Sequence, residues 1–190
     1  MTDKYQKQRH TGVIILICFF IALFGWCFET VGEYILYSST DDRGFLTLPL
    51  CPIYAAGALG VYLLMGTPRE PRGVGRHLLL GSSGIKKYGI YFAVATILPT
   101  LAELVVGGIF KLVGKPLWDY SDMPFNLFGV ICLYFSLLWG VLITLFMSFL
   151  WDRLYRLIGR LPSAALFGTS FFAVALTLAD FLATLTYTFL

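Results

Sequence analysis

The chain has 190 residues, 58% of them apolar and only 13% charged, with a formal net charge of +3. Soluble domains carry about 25% charged residues, and here the apolar residues come in long blocks instead of alternating with polar ones. That pattern excludes a soluble domain. A nucleic-acid binder needs a folded basic surface with base-contacting groups, and none is present.

Charge-free runs cover 11–28, 44–68, 88–102, 123–151 and 161–179; allowing one carboxylate each, the third reaches Phe110 and the fifth Leu190. A helix needs about 20 apolar residues to cross roughly 30 Å of hydrocarbon. The expectation is an all-α, polytopic membrane bundle of five transmembrane helices, forming a single domain over 1–190. The spans fall near 12–36, 49–66, 88–113, 127–151 and 163–190, after a short polar tail at 1–10 in which His10 reads as solvated. With the N-terminus in the cytoplasm, 11 of the 14 Lys and Arg residues lie on cytoplasmic segments. Only Arg43, Lys111 and Lys115 fall outside, which is the positive-inside pattern. The first span meets Trp26, Cys27 and Glu29 with no small-residue cleavage site, so it reads as a retained anchor.

In the first span Ala22, Gly25, Glu29, Gly32 and Glu33 form one small-or-polar stripe at helical spacing, a pattern that faces neighbouring helices. The second span starts irregularly. Pro49 and Pro52 confine the regular helix to about Pro52–Met65. Those 14 residues reach only about 21 Å. The residues before Pro52 therefore have to be buried in protein or line a wet cavity, since bare backbone groups are not tolerated against lipid. The loop 67–87 is rich in Pro and Gly with an apolar patch at Leu78–Leu80, suited to the membrane surface or to a cytoplasmic partner. It holds no phosphate-binding loop.

The third span carries Pro99 and Glu103, and the loop after it gathers Trp118, Asp119, Tyr120, Asp122 and Asn126. That loop reads either as an interfacial aromatic belt or as a lid over carboxylates. The fourth span places Gly129, Cys132, Ser136, Gly140, Thr144 and Ser148 on one face, a packing seam; the fifth aligns Ala173, Thr177, Asp180, Thr184 and Thr188. Glu29, Glu103 and Asp180 lie 17, 15 and 17 residues into their spans, about 22–25 Å from the inner face. Three carboxylates thus reach one level of the outer leaflet, with Arg43 the nearest cation, expected to pair with Glu29, Glu103 or both. Two readings stay open: a structural cluster neutralised by Arg43 or by protonation, and a site for a cation, an amine or a proton relay. Trp26, Tyr54, Trp118, Tyr120, Asp119 and Asn126 complete the candidate site. No catalytic set stands out: GxSxG and HExxH are absent and no histidine lies on the outer side, although paired carboxylates could still do acid–base work. The four cysteines lack CxxC spacing and companion histidines, so neither a metal site nor a cofactor is expected.

Several elements together resemble a family, the putative type IV ABC-transporter permeases of bacteria. They are Gly25-Trp26 with Glu29; Arg43-Gly44-Phe45; Pro49 with Pro52-Ile53-Tyr54; Glu103; Trp118-Asp119-Tyr120-Ser121; and Phe125-Asn126 with Gly129 and Cys132-Leu133. The resemblance covers roughly 20–145. It departs at Ala55, where the pattern has glycine, and at Val130, where it commonly has arginine. It implies a permease-like subunit of the bacterial plasma membrane, working with a separate ATPase or as a homo-oligomer. The other reading is a membrane enzyme or sensor that uses Glu29 and Glu103 on a lipid or envelope precursor.

Overall fold

A computed structural model describes residues 3–38 and 45–189. It is all-α apart from one small hairpin, with 76% of the described residues helical. The chain divides into two compact units, Met1–Ala55 with Arg153–Leu190, and Ala56–Asp152. Four helical stretches are long and apolar enough to cross a membrane: Asp3–Ile35, Gly84–Leu112, Leu133–Ile158 and Ser163–Phe189. The second expected span, near 49–66, corresponds to the shorter apolar helix Pro52–Met65, so four of the five expected spans are helices of crossing length.

In the first unit, α1 runs from Asp3 to Tyr37. The segment expected as a polar tail is therefore helical from Asp3 onward, and its side chains explain why. Arg9 donates to the Ser163 hydroxyl at 2.6 Å and to the carbonyls of Gly159 and Leu161 at 2.8 and 3.0 Å. These carbonyls end one helix just before α7 (Ser163–Phe189) begins, and a guanidinium satisfies them in a fork. His10, expected to be solvated, instead bonds through Nδ1 to the Tyr155 hydroxyl at 2.6 Å. Gly12 lets the helices meet closely, since a Cβ there would lie 3.3 Å from Leu166 Cγ and 3.5 Å from Ser170 Oγ. The C-terminus of α1 is closed by Ser38 at φ 53°, whose N–H bonds Tyr34 O at 3.0 Å.

α2 spans Pro52–Met65, the bounds expected from proline's tolerance at the first helical position. Residues 45–51 before it are irregular and partly packed inside protein, with Thr47 and Pro49 exposed. Leu46, Leu50 and Cys51 are buried, and Leu46 and Leu50 cluster with Ala22 of α1 against Phe19, Leu23 and Phe45.

In the second unit, Gly57 and Gly60 bring α2 against α4 (Gly84–Leu112), where added Cβ atoms would meet Pro99 at 3.3 Å and Leu98 at 3.5 Å. The bend at Gly66–Arg72 is closed by Thr67 N–H to Glu70 O (3.2 Å) and Arg72 N–H to Met65 O (2.9 Å). Tyr91 of α4, fully buried, donates to Gly66 O at 2.7 Å. α3 (Gly73–Leu79) follows, burying Leu79 while Val74 and Leu78 stay exposed, as does Leu80 just beyond it.

The fourth span starts later than expected. Residues 126–132 form a hairpin of β1 (Asn126–Leu127) and β2 (Ile131–Cys132), and the helix opens at Leu133. Phe128 and Gly129 take φ of 58° and 66°, a left-handed pair that turns the chain and cannot belong to a right-handed helix. From Leu133 the helix continues as α5 (Leu133–Leu145), a π-helical turn at Phe146–Leu150 and α6 (Trp151–Ile158). The small-residue face of this helix is a packing seam: Cys132, Ser136, Gly140 and Ser148 are buried. Trp151 stacks on Tyr62 at 4.1 Å, and Arg72 lies 5.7 Å over the other partner's ring, that of Tyr62.

Gly140 sets how closely α5 approaches α4. A Cβ there would run into Thr96 Oγ1 and lie 2.8 Å from Phe92 Cε2. Gly140→Ala is expected to cost about 1–3 kcal/mol, the range for overpacking. Unfolding of the purified protein in detergent checks this, and adding Thr96→Ala should recover part of the loss.

Candidate functional site

The residues singled out in the sequence fall into one cluster in each unit. In the first unit the centre is the irregular stretch 45–51. With no ladder of its own, its backbone has to find partners, and it finds them on two helices. Cys51 N–H bonds Ala22 O of α1 at 2.9 Å. Leu48 N–H and the Thr47 hydroxyl both donate to the Asp180 carboxylate of α7, the former at 3.0 Å. Asp180 is thus an anchor for the stretch. Glu29, half-buried, accepts from the Cys51 thiol at 3.6 Å. Tyr54 is buried with its ring over Gly25, where any Cβ would collide with it. The glycine-tryptophan element and the proline-isoleucine-tyrosine element therefore meet: Gly25 is the seat of Tyr54. Trp26, next to it, is half-buried. Arg43, expected to neutralise the carboxylates, lies outside the described residues.

In the second unit the centre is Glu103. It lies one helical turn before Gly107 on the buried face of α4 and is 5% exposed. Its Oε1 accepts from the Tyr120 hydroxyl at 3.2 Å, and the Tyr120 ring stacks on Phe135 at 5.0 Å. Tyr120 comes from the loop 113–125, which is held over α4 by a dense set of bonds. Trp118 Nε1 donates to Val130 O at 2.7 Å, and the indole and Val130 both press on Gly107, where a Cβ would lie 2.7 Å from each. Asn126 organises the rest. Its Nδ2 donates to Met123 O (2.7 Å) and Ser121 O (3.2 Å), and its Oδ1 accepts Gly129 N–H (3.0 Å). Asp119 Oδ1 accepts the Ser121 N–H and hydroxyl at 2.9 and 2.5 Å. The Ser121 hydroxyl first, then the Ser121 N–H and the charge of Lys111, hold the Asp119 carboxyl below its ordinary range.

Thr47, Cys51 and Lys111 were not anticipated. Thr47 and Cys51 carry no motif of their own; their partners are 133 and 22 residues distant in sequence. Lys111 Nζ bonds Phe128 O at 2.7 Å. Val130, where the family pattern commonly has arginine, is 4% exposed and apolar.

Residues 16–185 match the family described as Putative ABC-transporter type IV. The chain belongs to this family. No curated protein and no solved structure matches it. With four helices able to cross a membrane, family membership is consistent with a membrane protein of a transport system.

Three outcomes follow from these bonds. Asp180→Ala removes the acceptor for Leu48 and Thr47 and should cost about 1.5–3 kcal/mol. It should also expose Cys51, 4% exposed in the native fold, to a thiol reagent in a Cys18→Ser/Cys27→Ser background. Asn126→Ala deletes three bonds and should loosen the loop by about 1.5–4 kcal/mol, read as a shift of Trp118 fluorescence. Because Asp119 is held below its unfolded value, its contribution is fully present above the ordinary carboxylate range near pH ~4. It is lost as pH falls through the lowered folded value, so the wild-type Trp118 signal should survive to more acidic pH than that of Ser121→Ala.

Proposed function

We propose that this chain is the membrane-spanning, permease-like subunit of an ABC-type transport system in the bacterial plasma membrane. The observation that carries this reading is the family match, which extends over residues 16–185. On this reading the whole chain acts as one transmembrane domain crossing the bilayer five times, α2 and the irregular stretch before it making the second crossing. The N-terminus is cytoplasmic and the C-terminus extracytoplasmic, as the distribution of Lys and Arg requires.

ATP is hydrolysed by a separate subunit, since this chain has no phosphate-binding loop. α3 is then cytoplasmic. Its exposed Val74 and Leu78, with Leu80, lie among Arg69, Arg72 and Arg76 and suit a protein partner. Substrate would be met on the opposite side. There Glu103 beneath Tyr120, with Asp119, Asn126 and Trp118, forms one acidic and aromatic group, and Glu29, Tyr54, Trp26 and Asp180 form another. Carboxylates beside aromatic faces suit a cation or an amine.

Purification from native membrane in mild detergent should yield a stoichiometric subunit with a Walker A motif, whose ATP hydrolysis the chain stimulates. Stimulation should fall in the Val74→Asp/Leu78→Asp variant, while Glu103→Gln should impair uptake or export and leave assembly intact. Failure of the complex to form, with the chain folded, overturns the ATPase partnership. Reporter fusions after Thr67 and Leu161 should read cytoplasmic, and fusions after Thr40, Ser121 and Leu190 external; an even number of crossings overturns the topology.

A further inference from the structure

The N-terminal ends of α1 and α7 enclose an open groove of about 630 Å³, within the range of small-molecule sites. Its two ends differ in chemistry. Lys4 and Lys7 stand at one end, three residues apart and hence on one helical face. Ile15, Phe171 and Val174 line the other, two to three turns further along their helices, with Phe167 between the two ends beside Tyr5. The surface of the groove is mostly apolar and no carboxylate among the described residues lines it; Asp3, beside Lys4 in sequence, is not part of the lining.

Cations are divided between two tasks here. Arg9 is committed to the joint between the two helices, through Ser163, Gly159 and Leu161. Tyr5 adds to that joint by its bond to Ser163 and its edge-to-face contact with Phe167 at 6.2 Å. Lys4 and Lys7 are exposed and take no part in it. Lys4 and Ile15 are eleven residues apart along α1, about 16 Å. The groove therefore leads from a charged rim to a level where the helix carries only uncharged side chains.

We propose that this groove is a binding site for an anionic phospholipid, with the headgroup phosphate on Lys4 and Lys7 and an acyl chain along Ile15, Phe167, Phe171 and Val174. Basic pockets between helices at the membrane surface recognise lipid headgroups in this way. A soluble anion would have no use for the apolar end, and a zwitterionic lipid would gain little from two lysines without an acidic partner. Placement of the lipid in the inner leaflet rests on the topology proposed above; the site itself does not.

The test is native mass spectrometry of the full-length protein in detergent, titrated with phosphatidylglycerol or phosphatidylcholine of the same acyl chains. Phosphatidylglycerol should bind at a single saturable site and raise the melting temperature, with phosphatidylcholine at least about tenfold weaker. Lys4→Gln/Lys7→Gln should weaken phosphatidylglycerol about tenfold or more, while Lys86→Gln/Lys87→Gln, which removes the same charge elsewhere, should not. Val174→Trp, which fills the apolar end, should weaken the long-chain lipid with the lysines intact. Equal binding of both lipids, or equal loss in both lysine double variants, overturns the proposal. Competition by inorganic phosphate would make the site one for a soluble anion. Lipid-insensitive dimers lost in Val174→Trp would make the groove a contact between copies. None of these outcomes depends on orientation, so topology and lipid site can fail separately.

Discussion

A backbone N–H or C=O left bare in hydrocarbon costs several kcal/mol, and the departures from helix in this chain are shaped by that constraint. The stretch 45–51 is the clearest case. It has no ladder, so Cys51 N–H turns to a carbonyl of α1 and Leu48 N–H to the carboxylate of α7. An acid within a long apolar helix is expensive. Asp180 gives the irregular stretch an acceptor in place of a helix's own bonds. Buried leucines on the same stretch then fill the space against Ala22 and Phe19.

Glycines set the approach distances that make these bonds reachable. Gly25 admits the ring of Tyr54, Gly107 admits Trp118 and Val130, and Gly140 admits Thr96 and Phe92. Gly107 shows the logic best. Its missing Cβ lets the indole of Trp118 lie flat enough for Nε1 to reach Val130 O, and this pins the loop that carries Tyr120 over Glu103.

The loop over Glu103 and the joint at the start of α1 solve similar problems with different residues. Asn126 uses both donor hydrogens and its acceptor to close a turn in which Phe125, Phe128 and Gly129 all have positive φ. Bulky residues rarely adopt that conformation, and here side-chain bonds over-determine it. Phe125 and Phe128 are consequently left more than 70% exposed, a suitable arrangement for aromatic rings at a membrane interface. At the other joint a single arginine serves as the organiser, satisfying the carbonyls that a helix end leaves open.

The sequence by itself determined the helical character of the chain, the short reach of α2 and the irregular entry before it, of which Leu46, Leu50 and Cys51 are buried. These follow from block hydrophobicity and from proline's missing N–H, both local properties. It also marked Glu29, Glu103 and Asp180 as unusual, because a charge within an apolar run is visible without any fold. Tertiary structure alone decided what each of them does. Asp180 holds Thr47 and Leu48, Glu29 meets Cys51, and Glu103 meets Tyr120. Helical periodicity can state which face a carboxylate occupies, but not which distant segment will lie opposite. The late start of α5 and the helical N-terminus of α1 were hidden for the same reason. A left-handed turn fixed by Asn126 and a joint fixed by Arg9 depend on partners brought together only by folding, and in both places those bonds outweigh the local pattern.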